Sequence, residues 1–416
     1  MSNSLLTNDV ISKECLMSLK NNLVFTRNAS REYSKEYAVS GAKIGNVFNI
    51  RKPSRYTVTS GSTLEIQDTA DQSVALTVDK HYHVGMAFTQ DDRTLSIDRF
   101  RERYIDPAMI ALANKIDSQF FFDMYQAVYS AVGVPSASAL PSTLKGFLQA
   151  KAKMELLGAP RGQTSAIVDP LVQASLVEGL KGLFQSAEKI AEQYEEGVMG
   201  IAAGSKFSAT ANVPKHTIGA LGSTPLTDYA SPAYVAGTAT IKTKGWTAAA
   251  SNRLKKGDVI SIGSVYAVNP QTRVSTGQLA QFVVAADFSS DGSGNGTVTI
   301  DRGLYASGQY QNVDSLPADG AAISVFAETL QSYGSIVAPQ NMVFLKQAFA
   351  LGCVDLELPA DGAKASRAVD EDAGLSLTMT SQFDIVNYRN ITRIDFLGGW
   401  KCIYPELACR VVGQPA

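Results

Sequence analysis

The chain of 416 residues holds only three histidines and four cysteines, and no run of eighteen apolar residues. Each shortage excludes a class of protein. Three histidines are too few for most metal or general-base constellations. His81 and His83 stand two apart on a strand-like segment, so they share one face without an obvious third ligand, and His216 stands alone. Cys15, Cys353, Cys402 and Cys409 are too few and too scattered for a disulfide framework. Cys402 and Cys409 lie seven residues apart with no histidine nearby, which is poor zinc spacing. All four read as reduced, structural thiols. The missing apolar run excludes a transmembrane helix. The N-terminus, MSNSLLTNDVISKECLMSLK, alternates polar and apolar residues and is no secretory signal. The net charge of −2 makes no general case for nucleic-acid or membrane binding.

Catalytic signatures are missing too. No GxGxxG follows a strand, and GxxxxGK[ST], GxSxG and HExxH do not occur. The glycine-rich SSDGSGNG lies between strands and opens no helix. Asp91-Asp92 and Glu195-Glu196 are adjacent pairs that cannot face each other across a cleft, and Asp370–Asp372 reads as a solvated loop. No catalytic, cofactor-binding or metal-binding residue emerges. The chain does not read as an enzyme.

What is present begins with one long helical signal. Tyr104, Ala108, Ala111, Leu112, Ile116, Phe120, Phe121, Met124 and Val128 recur in steps of three and four. Asp106-Pro107 reads as an N-cap followed by proline at the first helical position. A helix over 106–132 is about 40 Å long, which suits an axis better than an ordinary packing element. Arg99, Arg101 and Arg103 precede it, on an extended lead-in or on a kinked first segment.

The rest is shorter-ranged. Thr7–Leu19 has the spacing of an amphipathic helix, and an extended arm follows. Residues 1–60 carry nine lysines and arginines against four acids, so the arm is either a solvated segment or one that docks on an acidic neighbour. KIGNVFNIRKPSRYTVTSG reads as strand, turn at Lys52-Pro53-Ser54, and strand, with the alternating Val74–Phe88 pairing back onto it. A hairpin of that length cannot bury enough to stand by itself, so a neighbouring subunit is expected to cover it. Helix signals at Leu144–Leu157 and Pro170–Ser186 flank the strand-like SAIVD. From 217 to 330 charge thins, and five or six short strands read as a small β-barrel or sandwich. The last forty residues look like strands that close a sheet. The expected fold class is α+β, with a β-domain inserted into a host whose halves flank it.

In this order, the N-terminal helix and arm, the hairpin with GNVFNIRKPSRY, and RFRERYIDPAMIALANKID resemble bacteriophage major capsid proteins of the Hong Kong 97 fold. The 217–330 segment, with LKKGDVISIGSVYAVNPQT, and the C-terminal RIDFLGGWKCIYPELACRVVGQPA resemble the P-22-type podovirus coat proteins. The resemblance implies an N-terminal arm over 1–40, an extended loop over 41–95, and a peripheral-domain spine helix over 96–132. It implies an axial domain in two parts, 133–216 and 331–375, around the inserted β-barrel of 217–330, with strands of 376–416 completing the peripheral domain. The implied function is a major capsid protein that self-assembles as pentamers and hexamers into an icosahedral shell, without cofactor. Its implied partners are a separate scaffolding protein, since no fused scaffold is present, a portal protein at one vertex, and packaged double-stranded DNA held non-specifically; no membrane is involved. Its implied location is the virion, assembled in the host bacterial cytoplasm. No long charged loop of the kind some members use across two-fold axes precedes LKKGD. Arg51, Lys52 and Arg55 at the hairpin turn, and Arg99, Arg101 and Arg103 before the helix, are the expected inter-subunit contacts. The alternative is a phage tail or decoration protein that uses the β-domain as a binding module. A carbohydrate-active enzyme is disfavoured by the lack of a convincing carboxylate pair.

Overall fold

The computed structural model describes residues 8–31, 47–56, 58, 61–62, 66, 72–89, 104–136, 140–179, 200–249, 251–326, 333–359, 363–370 and 374–414. Arg99, Arg101, Arg103, the acidic pairs at 91–92 and 195–196, and residues 1–7 and 32–40 of the expected arm lie outside the described residues. The chain is mixed α and β, as its sequence indicates, and it divides into two compact units. The first comprises Met1–Lys52, Ser73–Phe120 and Phe349–Ile403; the second comprises Pro53–Gln72, Phe121–Ala348 and Tyr404–Ala416.

The first unit is a sheet covered by two helices. Helix α1 spans Asn8–Asn22 and α2 spans Asp106–Tyr125, whose last turn belongs to the second unit. The long helix is therefore about 30 Å in length rather than 40. Its start also differs from expectation. Tyr104 and Ile105 already form a π-helical turn ahead of Asp106, so Asp106 lies inside the helical run rather than capping it. Asp106 accepts a hydrogen bond from the Ser18 hydroxyl of α1 (3.0 Å). Along the helix Leu112, Ile116 and Phe120 are buried as the spacing predicts, joined by Met109, Ala113 and Asp117, whereas Tyr104 and Ala111 are exposed. Phe120 joins Phe25 edge-on (4.9 Å between centroids) to a stack on Trp400 (5.1 Å). Such pairs add to plain area burial because ring edges and faces carry opposite partial charge.

The sheet orders its strands as Phe349–Cys353, Arg389–Cys402, Leu375–Asp384 and Lys364–Asp370, all antiparallel. The sequence pairing of 74–88 holds for its first four residues only. Gln72–Thr77 does pair with Val47–Lys52. Lys80–Thr89, however, leaves that hairpin at Val78-Asp79 and pairs with Arg389–Cys402, from Thr89 opposite Arg389 to Lys80 opposite Gly398. A fourteen-residue strand offers ten backbone partners in register, more than a short free hairpin can. Ten residues at the end of the segment expected to need a neighbour thus pair within their own chain. Glycine makes the crossing possible, since a Cβ at Gly399 would collide with the Thr77 carbonyl and lie 2.8 Å from Val78 Cα. Gly399→Ala is expected to cost about 1–3 kcal/mol in denaturant unfolding; an unchanged midpoint would show that this backbone moves freely.

The second unit has two cores. One lies on a six-stranded sheet that includes Ala131–Val132, Ala408–Val411, Asn341–Phe344, Thr164–Val168 and Ser205–Ala209, with helices α3 (Lys145–Leu156) and α4 (Pro170–Gly179). Phe147, Met154, Val172, Phe207 and Val343 pack together there. The expected end of the long helix is taken by this sheet. Ala131 and Val132 run parallel to Arg410 and Val411, and Gly133 turns the chain at φ +92°. The helix stops at Tyr125, a turn carries Ala127 and Val128 with N–H groups bonded to Met124 O and Tyr125 O, and β-branched Val132 suits the strand that follows. The other core is built from short strands, Ser223–Thr227, Thr240–Trp246 and Gly296–Thr299 in one sheet, and Ser275–Val283, Val259–Val268 and Ile323–Val325 in another. Most of the strands read from residues 217–330 are therefore present. Their core also takes in Tyr129, Ala131 and Val412 from outside that stretch.

Candidate functional site

Of the expected contact residues, the structure brings Arg55 to a partner within its own chain. Arg51 and Lys52 close the strand Val47–Lys52 instead of forming a turn, and Arg51 is exposed. Arg55 Nη2 lies 3.3 Å from Glu406 Oε1, and Gln309 donates from Nε2 to the Arg55 carbonyl. His81 and His83 do share one side of their strand, with ring centroids 6.3 Å apart. His81 Nε2 lies 2.8 Å from Asp395 Oδ1, an oxygen that also accepts from Arg393 Nε (2.8 Å). Among the described residues, no group of His, Cys, Asp or Glu is arranged to hold a metal ion. No described helix is long and apolar enough to cross a membrane.

Two buried polar clusters, which the sequence did not disclose, organise the units. In the first unit the Asp117 carboxylate is fully buried in α2. Oδ2 accepts from the backbone N–H of Val24 (2.6 Å) and Phe25 (3.0 Å); Oδ1 accepts from the Thr26 N–H (2.9 Å) and from its hydroxyl. These amides lead into the 3-10 turn Thr26–Asn28, so one side chain serves as cap for a segment some ninety residues earlier.

In the second unit the cluster lies where the end of α2, the 255–258 turn and the C-terminal strand meet. Asp258 Oδ1 lies 2.7 Å from His216 Nε2, and Asp258 Oδ2 accepts from Gly219 N (3.1 Å) and Lys255 N (2.7 Å). The other histidine nitrogen, Nδ1, lies 3.2 Å from the Tyr125 hydroxyl. Arg410 donates from Nε to Val128 O (2.9 Å) and from Nη1 to Gly257 O (2.9 Å) and Gln340 Oε1 (3.3 Å). Its Nη2 is buried without a hydrogen-bond partner among the described residues. Gly257 has a left-handed φ of +97° that only glycine adopts without strain, which lets its carbonyl face Arg410. Burial pushes the Arg410 guanidinium down to about 10, while Tyr125 and Asp258 pull it back up, so it keeps its charge at neutral pH. Burial likewise raises the Tyr125 phenol.

An aspartate–histidine–tyrosine chain would suit proton transfer if a substrate could reach it. Here Asp258, His216, Tyr125 and Arg410 are all buried, so the cluster does structural work. Little in the sequence marks these residues. Asp117 shows only as a charge inside an apolar helical stripe, and Arg410 as a charge between Cys409 and Val411 in an apolar strand. A charge that breaks an apolar period is the one signal that could have found them.

A family model described as P22 coat protein, gene protein 5, matches residues 2–413. No curated protein matches the chain. Similar solved structures include one from Mycobacterium phage Che8, with 12% identity, 94% of this chain and 90% of that chain covered, and a TM-score of 0.45. The capsid of Ralstonia phage GP4 shows 9% identity, coverage of 100% and 95%, and a TM-score of 0.45. The bacteriophage PhiM1 mature capsid shows 12%, coverage of 94% and 86%, and 0.42. Likenesses this remote carry no weight beside the family match. With that match over nearly its whole length, the chain belongs to the P22 coat protein family and is a major capsid protein of a tailed bacteriophage.

Proposed function

We propose that this subunit assembles, with a separate scaffolding protein, into a closed icosahedral shell of pentamers and hexamers, with a portal protein at one vertex. Assembly takes place in the host bacterial cytoplasm, and the finished shell holds double-stranded DNA through weak, non-specific contact, in keeping with a net charge of −2. The observation that carries this reading is the segment between strands Val47–Lys52 and Gln72–Thr77. There Tyr56, Val58 and Ile66 are 64%, 97% and 87% exposed. Apolar side chains gathered in one short segment mark a surface that another molecule covers. In a shell that molecule is a second copy, and many modest contacts sum to a stable particle. Arg51 and Lys52, beside this segment, and Arg99, Arg101 and Arg103 are proposed to add ion pairs between copies, each worth under about 1 kcal/mol.

Electron microscopy of the expressed chain, alone and with a scaffolding protein, is expected to show closed particles. A stable monodisperse monomer under both conditions would overturn the assembly reading.

Residues 217–330 are proposed as an inserted β-domain that folds alone. Support comes from its short strands and from a core drawn mainly from its own residues. Expressed by itself, the segment is expected to give a β-type circular dichroism spectrum and dispersed amide resonances. It loses Tyr129, whose ring lies 3.4 Å from the Arg302 guanidinium, and is accordingly expected to melt below the full chain. An unstructured chain would refute the boundary.

A further inference from the structure

The root of the exposed segment is tied down at two points on its own chain. Arg55 pairs with Glu406, which lies in the 3-10 turn Pro405–Leu407. The Arg55 carbonyl takes the Gln309 side-chain amide. Gln309 is itself fixed, because Arg273 donates to the carbonyls of Gly308 and Gln309. Immediately beyond these tethers Tyr56 and Val58 stand in water. The charge expected to reach a neighbour is therefore occupied at home, while the apolar residues just past it, Tyr56 at 64% and Val58 at 97%, are largely exposed.

The quality of the tethers matters. The Arg55 and Glu406 side chains are 38% and 20% exposed, so their ion pair is half-wet, weak and quickly broken. A dry pair would resist opening, since separating it strands a buried charge. Two weak contacts at one root suit a hold that yields when a better surface arrives.

We propose that Arg55, Glu406 and Gln309 form a latch that holds the loop root on its own subunit before assembly and delays its engagement with a second copy. The latch rests on the shell-assembly reading. Its existence and its effect on assembly are separately measurable on the full-length chain.

Two readouts test it. Amide exchange at Ser54–Tyr56 reports the latch in the unassembled subunit, and the light-scattering lag reports particle formation. Glu406→Gln and Gln309→Ala are each expected to raise exchange and shorten the lag by about two- to five-fold. Arg55→Glu is expected to behave alike, and adding Glu406→Arg to it should restore both values. Unchanged exchange in Glu406→Gln would overturn the latch. So would a longer lag in that variant, which would make Glu406 a partner of the neighbouring copy. If the wild-type chain forms no particles, the shell reading fails, and exchange alone still decides whether the latch exists.

Discussion

Asp117→Ala is expected to unfold the first unit more readily than any surface change, by about 3–5 kcal/mol. The carboxylate satisfies three backbone N–H groups and a hydroxyl, all buried except the half-buried bond from Val24. Hydrogen bonds to a charged acceptor contribute about 1.5–3 kcal/mol each, and an abandoned buried donor adds its own desolvation cost. Helix propensity works in the opposite direction, because alanine is the better helix former by roughly 0.7 kcal/mol at most. The capping loss outweighs it several-fold. Asp117→Asn sharpens the test. An amide keeps one acceptor oxygen for Thr26 but turns N–H groups toward Val24 and Phe25, which also donate. It is expected to lose more than half as much as the alanine variant. Denaturant unfolding of the subunit measures both, and amide exchange at Val24–Thr26 localises the effect. A loss below about 1 kcal/mol in Asp117→Ala would mean that the Val24–Thr26 segment is held by its apolar contacts, chiefly Phe25 on Phe120 and Phe349.

The second large effect is expected at Arg410. Its guanidinium joins three stretches of chain through Val128, Gly257 and Gln340, with its carbon 5.6 Å from the Tyr125 ring centre and 5.5 Å from that of Phe326. Arg410→Ala removes the donors, opens a cavity and leaves the nearby Asp258 without its cationic neighbour. A cost of about 3–5 kcal/mol follows from breaking such a buried set on one side. Two further variants separate charge from shape. Arg410→Lys keeps the charge but not the planar fork that reaches Val128 and Gly257 together, and is expected to recover less than half of the loss. Arg410→Met fills much of the space without donors. If it matches the wild type, the junction contributes packing alone, as replacements of buried ion sets by apolar groups have precedent for being neutral. The expected result is a loss between those of lysine and alanine, because two carbonyls are left without donors. Each variant is read by denaturant unfolding, with particle yield as the functional measure.

Much of this architecture was legible beforehand, because it rests on periodicity. The long helix, α1, α3 and the strands between 240 and 325 follow from apolar spacing that local geometry enforces. The resemblance in order of elements led to the family that the match over 2–413 establishes. Spacing could not say where a pattern ends when another element competes for the same residues. Val128 continues the helical stripe, yet the chain leaves the helix after Tyr125, and Ala131–Val132 is strand because Arg410 and Val411, almost three hundred residues away, offer it a parallel partner. Val74–Phe88 alternates throughout, yet it changes partner at Val78-Asp79, because Arg389–Cys402 matches its second half in register.

The polar residues show the same division more sharply. From sequence, Arg55 was a cation at a turn, and only the fold places Glu406 and Gln309 beside it. Asp117 and Arg410 were charges in apolar surroundings, which a linear reading treats as interruptions, and Asp258 was one more charge after Lys255 and Lys256. By itself the sequence determined the class of protein, its helices and most of its strands, since these depend on neighbours within a few residues. The tertiary structure alone decided which strand pairs with which, where the long helix stops, and which buried charges hold the units together. Those choices depend on partners tens to hundreds of residues distant, and a buried donor or acceptor is settled only when its partner arrives in space.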